Sequence, residues 1–399
     1  MTANEDIDTH ILAKYEILQK LGKGAYGIVW KVKDKETGDI LALKKIFGAF
    51  QNATDAQRTF REIIFLQELA DHENIITLLD VMKADNDKDI YLIFEYMETD
   101  LHAVIRAGIL EDIHKRFILY QLLKAIKYMH SAQVIHRDMK PSNLLLNSEC
   151  LVKVADLGLA RLMDAPKEDG GHQQVLTDYV ATRWYRAPEI LLGSTTYTKG
   201  VDMWSIGCIL GELLGGKPMF PGTSTMNQID RIIEVTGRPS KEDIESIQSD
   251  FAAQMLENLP EPKAKGLENL YPNADSDAHD LLKKLLMFNP TKRITIEEAL
   301  DHPYVGQFHN PEEEIICTKE IKIPIDDNKK FSVAEYRNEL YTTVIKINVE
   351  TKKASRAKKG KSKKGHSSSK KSSSKTGTSS TKKSSSTKKS SSSVKKTKK

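Results

Sequence analysis

Cysteine is scarce: Cys150, Cys208 and Cys317 are the three in 399 residues, odd in number and without the paired spacing of a metal site. That excludes a disulfide framework and leaves three buried apolar thiols in a reducing compartment as the expectation. No apolar run reaches the roughly 20 residues that a membrane-spanning helix needs. The opening MTANEDIDTHILAKYE also lacks the positive start and apolar stretch of a secretory leader. A soluble, intracellular chain is expected. Aromatic residues are only 7% of the whole, and after Glu350 there are none, so the Lys/Ser-rich segment beyond cannot build a core. Acidic residues vanish there too. From Thr351 onward there are 19 Lys or Arg and no Asp or Glu, which leaves 41 basic and 55 acidic groups in residues 1–350, a net −14. An acidic globule carries a basic tail, and no repeat of solenoid period is visible.

What is present is ordered along the chain. From Lys14 to about Ile46, short β-rich runs alternate with turns, KETGD reading as a hairpin loop. DAQRTFREIIFLQELA then places Phe60, Ile63 and Ile64 at helical spacing, with Thr54 or Asp55 as the cap. Strand character resumes at YLIFEYM. From Lys115 the pattern is helical, and Phe117, Tyr120, Leu123, Ile126 and Met129 form an apolar stripe. Residues 310–347 read as an extension, first the alternating EIKIPI and then an amphipathic FSVAEYRNELYTTVIKI.

The first chemical signal is GKGAYG, with Gly22, Gly24 and Gly27, since glycines let backbone amides approach phosphates closely. A dinucleotide site would require a helix next; the β-branched IVWKVK reads as a strand instead. Lys44 follows in LALK, on a third β-like run, with Glu62 in the helical segment beyond it. HRDMKPSN, residues 136–143, is more specific: it groups Asp138, Lys140 and Asn143, and Asp156 of DLG lies 18 residues after Asp138. An exposed strand lysine, a solvated helix glutamate and an ordinary turn are the bland readings of these residues taken singly. Their order and gaps together favour a site.

This set resembles the protein kinases. The resemblance implies an α+β, bilobal fold with an antiparallel β small lobe carrying one helix and a mainly helical large lobe. It divides the chain into an N-terminal extension (1–13), small lobe (14–97), large lobe (98–309), C-terminal extension (310–349) and disordered basic tail (350–399). An activation segment spans 156–189 and an insert about 222–275. It implies ATP and Mg2+ as cofactors, with Lys44 on the phosphates, Glu62 holding Lys44, Asp138 as proton acceptor, Lys140 on the transferring phosphate, and Asn143 and Asp156 as metal ligands. Leu21, Val29, Ala42 and Asp100 would join the glycines around the nucleotide. Phe94 would guard the back of the adenine pocket, with Glu95 and Met97 giving backbone hydrogen bonds. Lysine at position 140 is typical of serine/threonine kinases. In DLG, Leu157 replaces the usual Phe.

VLTDYVATRWYRAPE, residues 175–189, is similar to the mitogen-activated protein kinase family, and the likeness runs from about Lys14 to Ile347. It implies a switch by phosphorylation of Thr177 and Tyr179. A phosphate of roughly −1.5 to −2 charge needs cations to order a loop, and Arg61, Arg137 and Arg161 are expected to converge on the first, Arg183 and Arg186 to face the second. Asp202 of VDMWSIGCIL would anchor the catalytic loop, and Arg293 would pair with Glu189. Substrates would be proteins with Ser/Thr-Pro sites. An acidic patch at Glu312, Glu313 and Glu314 would dock basic peptides, with Asn310 where an aspartate is common. Within the family, the hinge stretch FEYMETDLHAVI and YTKGVDMWSIGCILGELLGGKPMFPGTSTMNQ look most like the atypical extracellular-signal-regulated kinase 7/8 branch. That implies autophosphorylation and links to the cilium and its basal body or to the nucleus; a monomer in the cytoplasm is the separate expectation. The tail would meet an acidic partner, an anionic membrane surface or an import receptor. Two other functions stay open at this point: a non-catalytic scaffold on the same fold, or a polyanion-binding protein acting through its tail.

Overall fold

A computed structural model of the chain describes residues 7–24, 27–163, 183–194, 196–249, 251–257, 259, 265–327 and 329–343. All lie in the first of two compact units, Met1–Val344. Thr177 and Tyr179, and the basic tail, fall outside the described residues.

A short helix α1 (Thr9–Lys14) leads into three strands, β1 (Tyr15–Lys23), β2 (Gly27–Asp34) and β3 (Ile40–Ile46). After helix α2 (Ala53–Glu68) come β4 (Leu78–Lys83) and β5 (Ile90–Glu95), and the five strands form one antiparallel sheet in the order β1-β2-β3-β5-β4. The KETGD segment closes the β2–β3 hairpin as expected, with Gly38 at φ 82°, a conformation that suits a residue without Cβ. On β2, alternate residues Ile28, Trp30 and Val32 are buried, the period-2 signature of a half-covered sheet. The N-cap of α2 differs from the expected Thr54 or Asp55. It is Asn52, whose side chain accepts from the backbone N–H of both residues at 3.0 Å. Asparagine in an extended conformation satisfies two otherwise unpaired helix donors.

The large lobe begins with the two-residue strand β6 (Thr99–Asp100) and α3 (Leu101–Ala107), and is built on α4 (Asp112–Ser131). Four of the five stripe residues on α4, Tyr120, Leu123, Ile126 and Met129, are fully buried, and Phe117 is half-buried against Phe308. Burial extends around the helix to Ile118, Leu119 and Leu122, so α4 is a core helix rather than a surface one. Short strands β7 (Val134–Ile135), β8 (Leu144–Leu146), β9 (Val152–Val154) and β10 (Arg161–Leu162) follow, pairing β6-β8-β9 and β10-β7. They carry the catalytic-loop segment and the DLG turn on hydrogen-bonded frames. Helices α5 (Pro188–Leu191), α6 (Gly200–Gly215), α7 (Thr225–Thr236), α8 (Lys241–Glu245), α9 (Ala252–Glu257), α10 (Leu267–Leu270), α11 (Ser276–Leu285) and α12 (Ile296–Leu300) complete the lobe. The bilobal α+β expectation is borne out.

EIKIPI forms no regular strand; a final helix, α13, follows at residues 333–343. This helix lies on the small lobe through Phe60 and Tyr336, whose rings are 5.9 Å apart, and through Phe50 and Tyr341.

Candidate active site

The sheet register sets the upper wall of the cleft. Val29 on β2 lies opposite Lys44 on β3, and Ala42 lies opposite Phe94 on β5. Phe94 and Met97 are buried. The Glu95 carboxylate accepts from the Thr77 N–H at 2.8 Å and pairs with Lys153 at 2.9 Å, while its own N–H donates to the Thr77 carbonyl at 3.3 Å. Gly22 has open space where a Cβ would stand, and Leu21 is exposed beside it. Gly27 differs in cause from the phosphate-approach reading. A Cβ there would sit 2.1 Å from the carbonyl oxygen of Lys45, so glycine is required by the close passage of β3. Asp100 caps α3, accepting from the Ala103 N–H at 3.0 Å.

Lys44 reaches Glu62 on α2 at 2.6 Å. Burial works against the ammonium ion, but Glu62 and Asp156 outweigh it and raise its pKa, so the amine stays charged. Glu62 is itself buried. A buried carboxylate paired with a cation is the arrangement that keeps both ions tolerable away from water.

The catalytic-loop segment is held from below by Asp202 of α6. Its carboxylate accepts from the backbone N–H of His136 and of Arg137, each at 2.9 Å, and meets His130 Nε2 at 2.9 Å. Burial would favour the neutral acid, yet the His130 contact and the other donors lower the pKa and keep Asp202 ionised. Arg137 stands at φ 70°, a conformation that a non-glycine residue adopts only when its surroundings fix it. The two backbone bonds to Asp202 help to fix it. His130 was not singled out by sequence, although its place on the inner face of α4 is visible in the stripe.

Beyond that anchor, Lys140 Nζ donates to Asp138 Oδ2 at 2.6 Å, and the Asn143 amide nitrogen donates to the Asp138 carbonyl at 2.9 Å. Among the described residues, Asn143 Oδ1 is thus left to accept. The Asn143 carbonyl accepts from the Ala155 N–H at 2.9 Å, which ties the loop to the residue preceding Asp156. Asp156 adopts φ 62°, and Leu157 behind it is fully buried, filling the apolar slot as expected. Burial opposes ionisation of Asp156, but Lys44, Arg58 and Lys140 hold its pKa at about 2. An ionised carboxylate and an amide oxygen, on segments joined by the Asn143–Ala155 backbone bond, are the donor types of a hard cation that takes few protein oxygens, so these two residues fit a magnesium ion.

Arg58 was missed by the sequence reading. It sits one helical turn before Glu62 on α2, and its Nη2 lies 3.5 Å from both Asp156 oxygens. The i, i+4 spacing to Glu62 was the available signal. Gly158 permits this approach, since a Cβ there would stand 2.8 Å from Arg58 Nε.

Four further expectations have mixed outcomes. Arg293 grips Glu189 with two bonds, at 2.9 and 3.1 Å, as anticipated. Arg61 and Arg161 do come together, but on Asp327 of the C-terminal extension, at 2.6 and 3.8 Å. Arg137 is stacked over the Tyr197 ring at 4.2 Å. Arg183 opens a short turn, residues 183–185, with Arg186 just beyond it; their anticipated partner Tyr179 lies outside the described residues. Finally, Glu314 is buried, paired with Lys127 at 3.2 Å and His309 at 2.8 Å, which leaves Glu312 and Glu313 as the exposed carboxylates of the acidic patch.

Comparison with known proteins agrees with this geometry. The protein kinase domain family matches residues 15–305. The chain is 71% identical over 351 residues, covering 88% of itself and 95% of the relative, to Extracellular signal-regulated kinase 2 of Dictyostelium discoideum. It is 57% identical over 361 residues to Mitogen-activated protein kinase 15 of Xenopus laevis, covering 90% of itself and 61% of that protein. Against Extracellular signal-regulated kinase 7 of Drosophila melanogaster it is 47% identical over 344 residues, 85% of itself and 38% of that protein. With the ordered Lys44–Glu62 pair and the Asp138, Asn143 and Asp156 cluster, these likenesses make the chain a serine/threonine protein kinase that belongs to the mitogen-activated protein kinase family, in its extracellular-signal-regulated kinase 7/8 branch.

Proposed function

We propose that the chain transfers the γ-phosphoryl group of ATP to serine or threonine hydroxyls that precede proline, with the residues of the cleft in separate roles. Asp138 orients the acceptor hydroxyl and takes its proton as the new P–O bond forms and the bond to the departing diphosphate breaks. Lys140, already on the Asp138 carboxylate, stabilises the charge of the group in transit. Lys44, fixed by Glu62, orients the nucleotide phosphates, while the main chain around Gly22 and Gly24 covers them and Leu21, Val29, Ala42, Phe94, Glu95, Met97 and Asp100 frame the nucleoside. Asn143 and Asp156 would hold magnesium, which when bound neutralises phosphate charge. The Lys44–Glu62 ion pair at 2.6 Å carries this reading, because a buried carboxylate holds a half-buried cation over the same cleft as the catalytic loop.

Phosphorylation of Thr177 and Tyr179 by the enzyme itself is the proposed switch, supported by the gathering of Arg61, Arg137 and Arg161 within electrostatic reach of one another. Exposed Glu312 and Glu313 are the proposed dock for basic partner peptides. We assign the basic tail to an acidic partner, membrane surface or import receptor, and place a monomeric enzyme in the cytoplasm with access to nucleus or cilium. Purified protein incubated with labelled ATP and magnesium, with and without a Ser-Pro peptide and its Ser-Ala counterpart, tests the reading. Label is expected in the Ser-Pro peptide and at Thr177 and Tyr179. Equal labelling of both peptides would overturn proline direction, and label that appears at the switch only after another kinase is added would overturn autophosphorylation.

A further inference from the structure

The C-terminal extension delivers a carboxylate to the back of α2, at a place where the sequence suggested only a phosphate would sit. The Asp327 side chain is 9% exposed. Its Oδ1 accepts from Arg61 Nε at 2.6 Å, and its Oδ2 lies 3.8 Å from Arg161 Nε. Its main-chain carbonyl accepts from Arg61 Nη2 at 3.2 Å and from Gln57 Nε2 at 3.5 Å. The aspartate is therefore gripped by two successive turns of the same helix. Its neighbours hold it there. Lys330 Nζ donates to Thr54 at 3.1 Å, and the fully buried Tyr336 of α13 packs on Phe60 of α2.

The electrostatics explain why an anion belongs at this point. Burial and the nearby Arg61 both lower the pKa of Arg161, while Asp327 works the other way. Arg137 adds a third guanidinium, largely buried, with a buried Nε that has no hydrogen-bond partner among the described residues. Clustered buried cations are costly unless a counter-charge lies among them. Arg61 also adjoins Glu62 on a stiff helix, so whatever anchors Arg61 sets the rotation that presents Glu62 to Lys44. Both pairs, Arg61–Asp327 and Lys44–Glu62, are made in the same structure, each at 2.6 Å.

We propose that Asp327 is a positioning residue for phosphoryl transfer: a fixed carboxylate that holds Arg61, and through it α2, in the orientation that keeps Glu62 on Lys44 before Thr177 is phosphorylated. This rests on the reading of Thr177 and Lys44 given above. It assigns the chain its own anion for the unphosphorylated enzyme, which must be active enough to modify itself. Once phosphate is present on Thr177 the helix has a second anchor, and Asp327 becomes dispensable for rate.

The test uses the full chain as wild type, Asp327→Asn and Asp327→Glu. Each is assayed after phosphatase treatment, and again after phosphorylation in trans by separable wild-type enzyme with occupancy of Thr177 and Tyr179 checked by mass spectrometry. Loss of one charge-assisted anchor is expected to lower kcat/KM of phosphatase-treated Asp327→Asn by roughly tenfold. Asp327→Glu should recover most of that loss, and phosphorylated Asp327→Asn should match phosphorylated wild type, which also certifies its fold. Unchanged or raised activity of the treated Asn variant overturns the proposal, as does an equal fall in both forms, which would mark a merely structural role. If wild type itself is indifferent to phosphatase, the reading of Thr177 fails. The ratio of Asp327→Asn to wild type in that single form then still decides whether Asp327 positions α2.

Discussion

Glu189 and Arg293, 104 residues apart, meet in the core of the large lobe through two parallel bonds of 2.9 and 3.1 Å. The same guanidinium donates to the main-chain oxygens of Gly200 and Met287, so it fastens the end of the activation segment to the start of α6. Arg293→Ala would leave Glu189 buried and unpaired. Removal of one partner of such a pair costs about 3–5 kcal/mol. A urea titration is expected to show a clearly lower midpoint with an unchanged slope, and a midpoint equal to wild type would refute the structural role.

Gly27 leads to a different kind of loss. Because a Cβ would stand 2.1 Å from the Lys45 carbonyl, Gly27→Ala must push β2 from β3 next to Lys44. Overpacking of this sort costs roughly 1–3 kcal/mol. The expected result is a raised KM for ATP with a smaller change in kcat, read from initial rates at varied nucleotide. An unaltered KM would show that the strand spacing does not shape the nucleotide site.

Asp156 makes stability depend on acid. Its pKa in the folded chain is about 2, against about 3.9 for an unfolded aspartate. The lowered value means a stabilising contribution that is complete above about pH 4 and disappears as pH falls through about 2. Asp156→Asn removes it and leaves Lys44 and Arg58 without that counter-charge. The difference in urea midpoint between wild type and variant should therefore be large at pH 6 and shrink steadily from pH 4 toward pH 2. A difference independent of pH would contradict the assignment.

Much of this was legible in the sequence, and what was not has physical causes. The strands of the small lobe, α2, the buried face of α4 and the residues of the cleft follow from periodicity and from motifs whose chemistry constrains spacing. The N-cap was misplaced because Asn52, Thr54 and Asp55 are all competent caps, and backbone geometry alone picks Asn52. Gly27 was recognised for its permissiveness, but the carbonyl that demands it comes from another strand. Asp327 was hidden for a similar reason: its partner Arg61 is 266 residues away, and one aspartate in IDDNKK has no local signature. Glu314 looked like its exposed neighbours until Lys127 of α4 was seen beneath it.

Asp138 offers the most direct test of the account, since its carboxylate is the proposed destination of the substrate proton. Initial rates of transfer to a Ser-Pro peptide should be measured at saturating ATP and magnesium for wild type and Asp138→Ala, with nucleotide affinity followed separately. Loss of a general base costs roughly 10²–10⁴-fold in rate, so kcat should fall by at least the lower figure while nucleotide binding stays close to wild type. An Asp138→Ala enzyme that works at the wild-type rate would contradict the account.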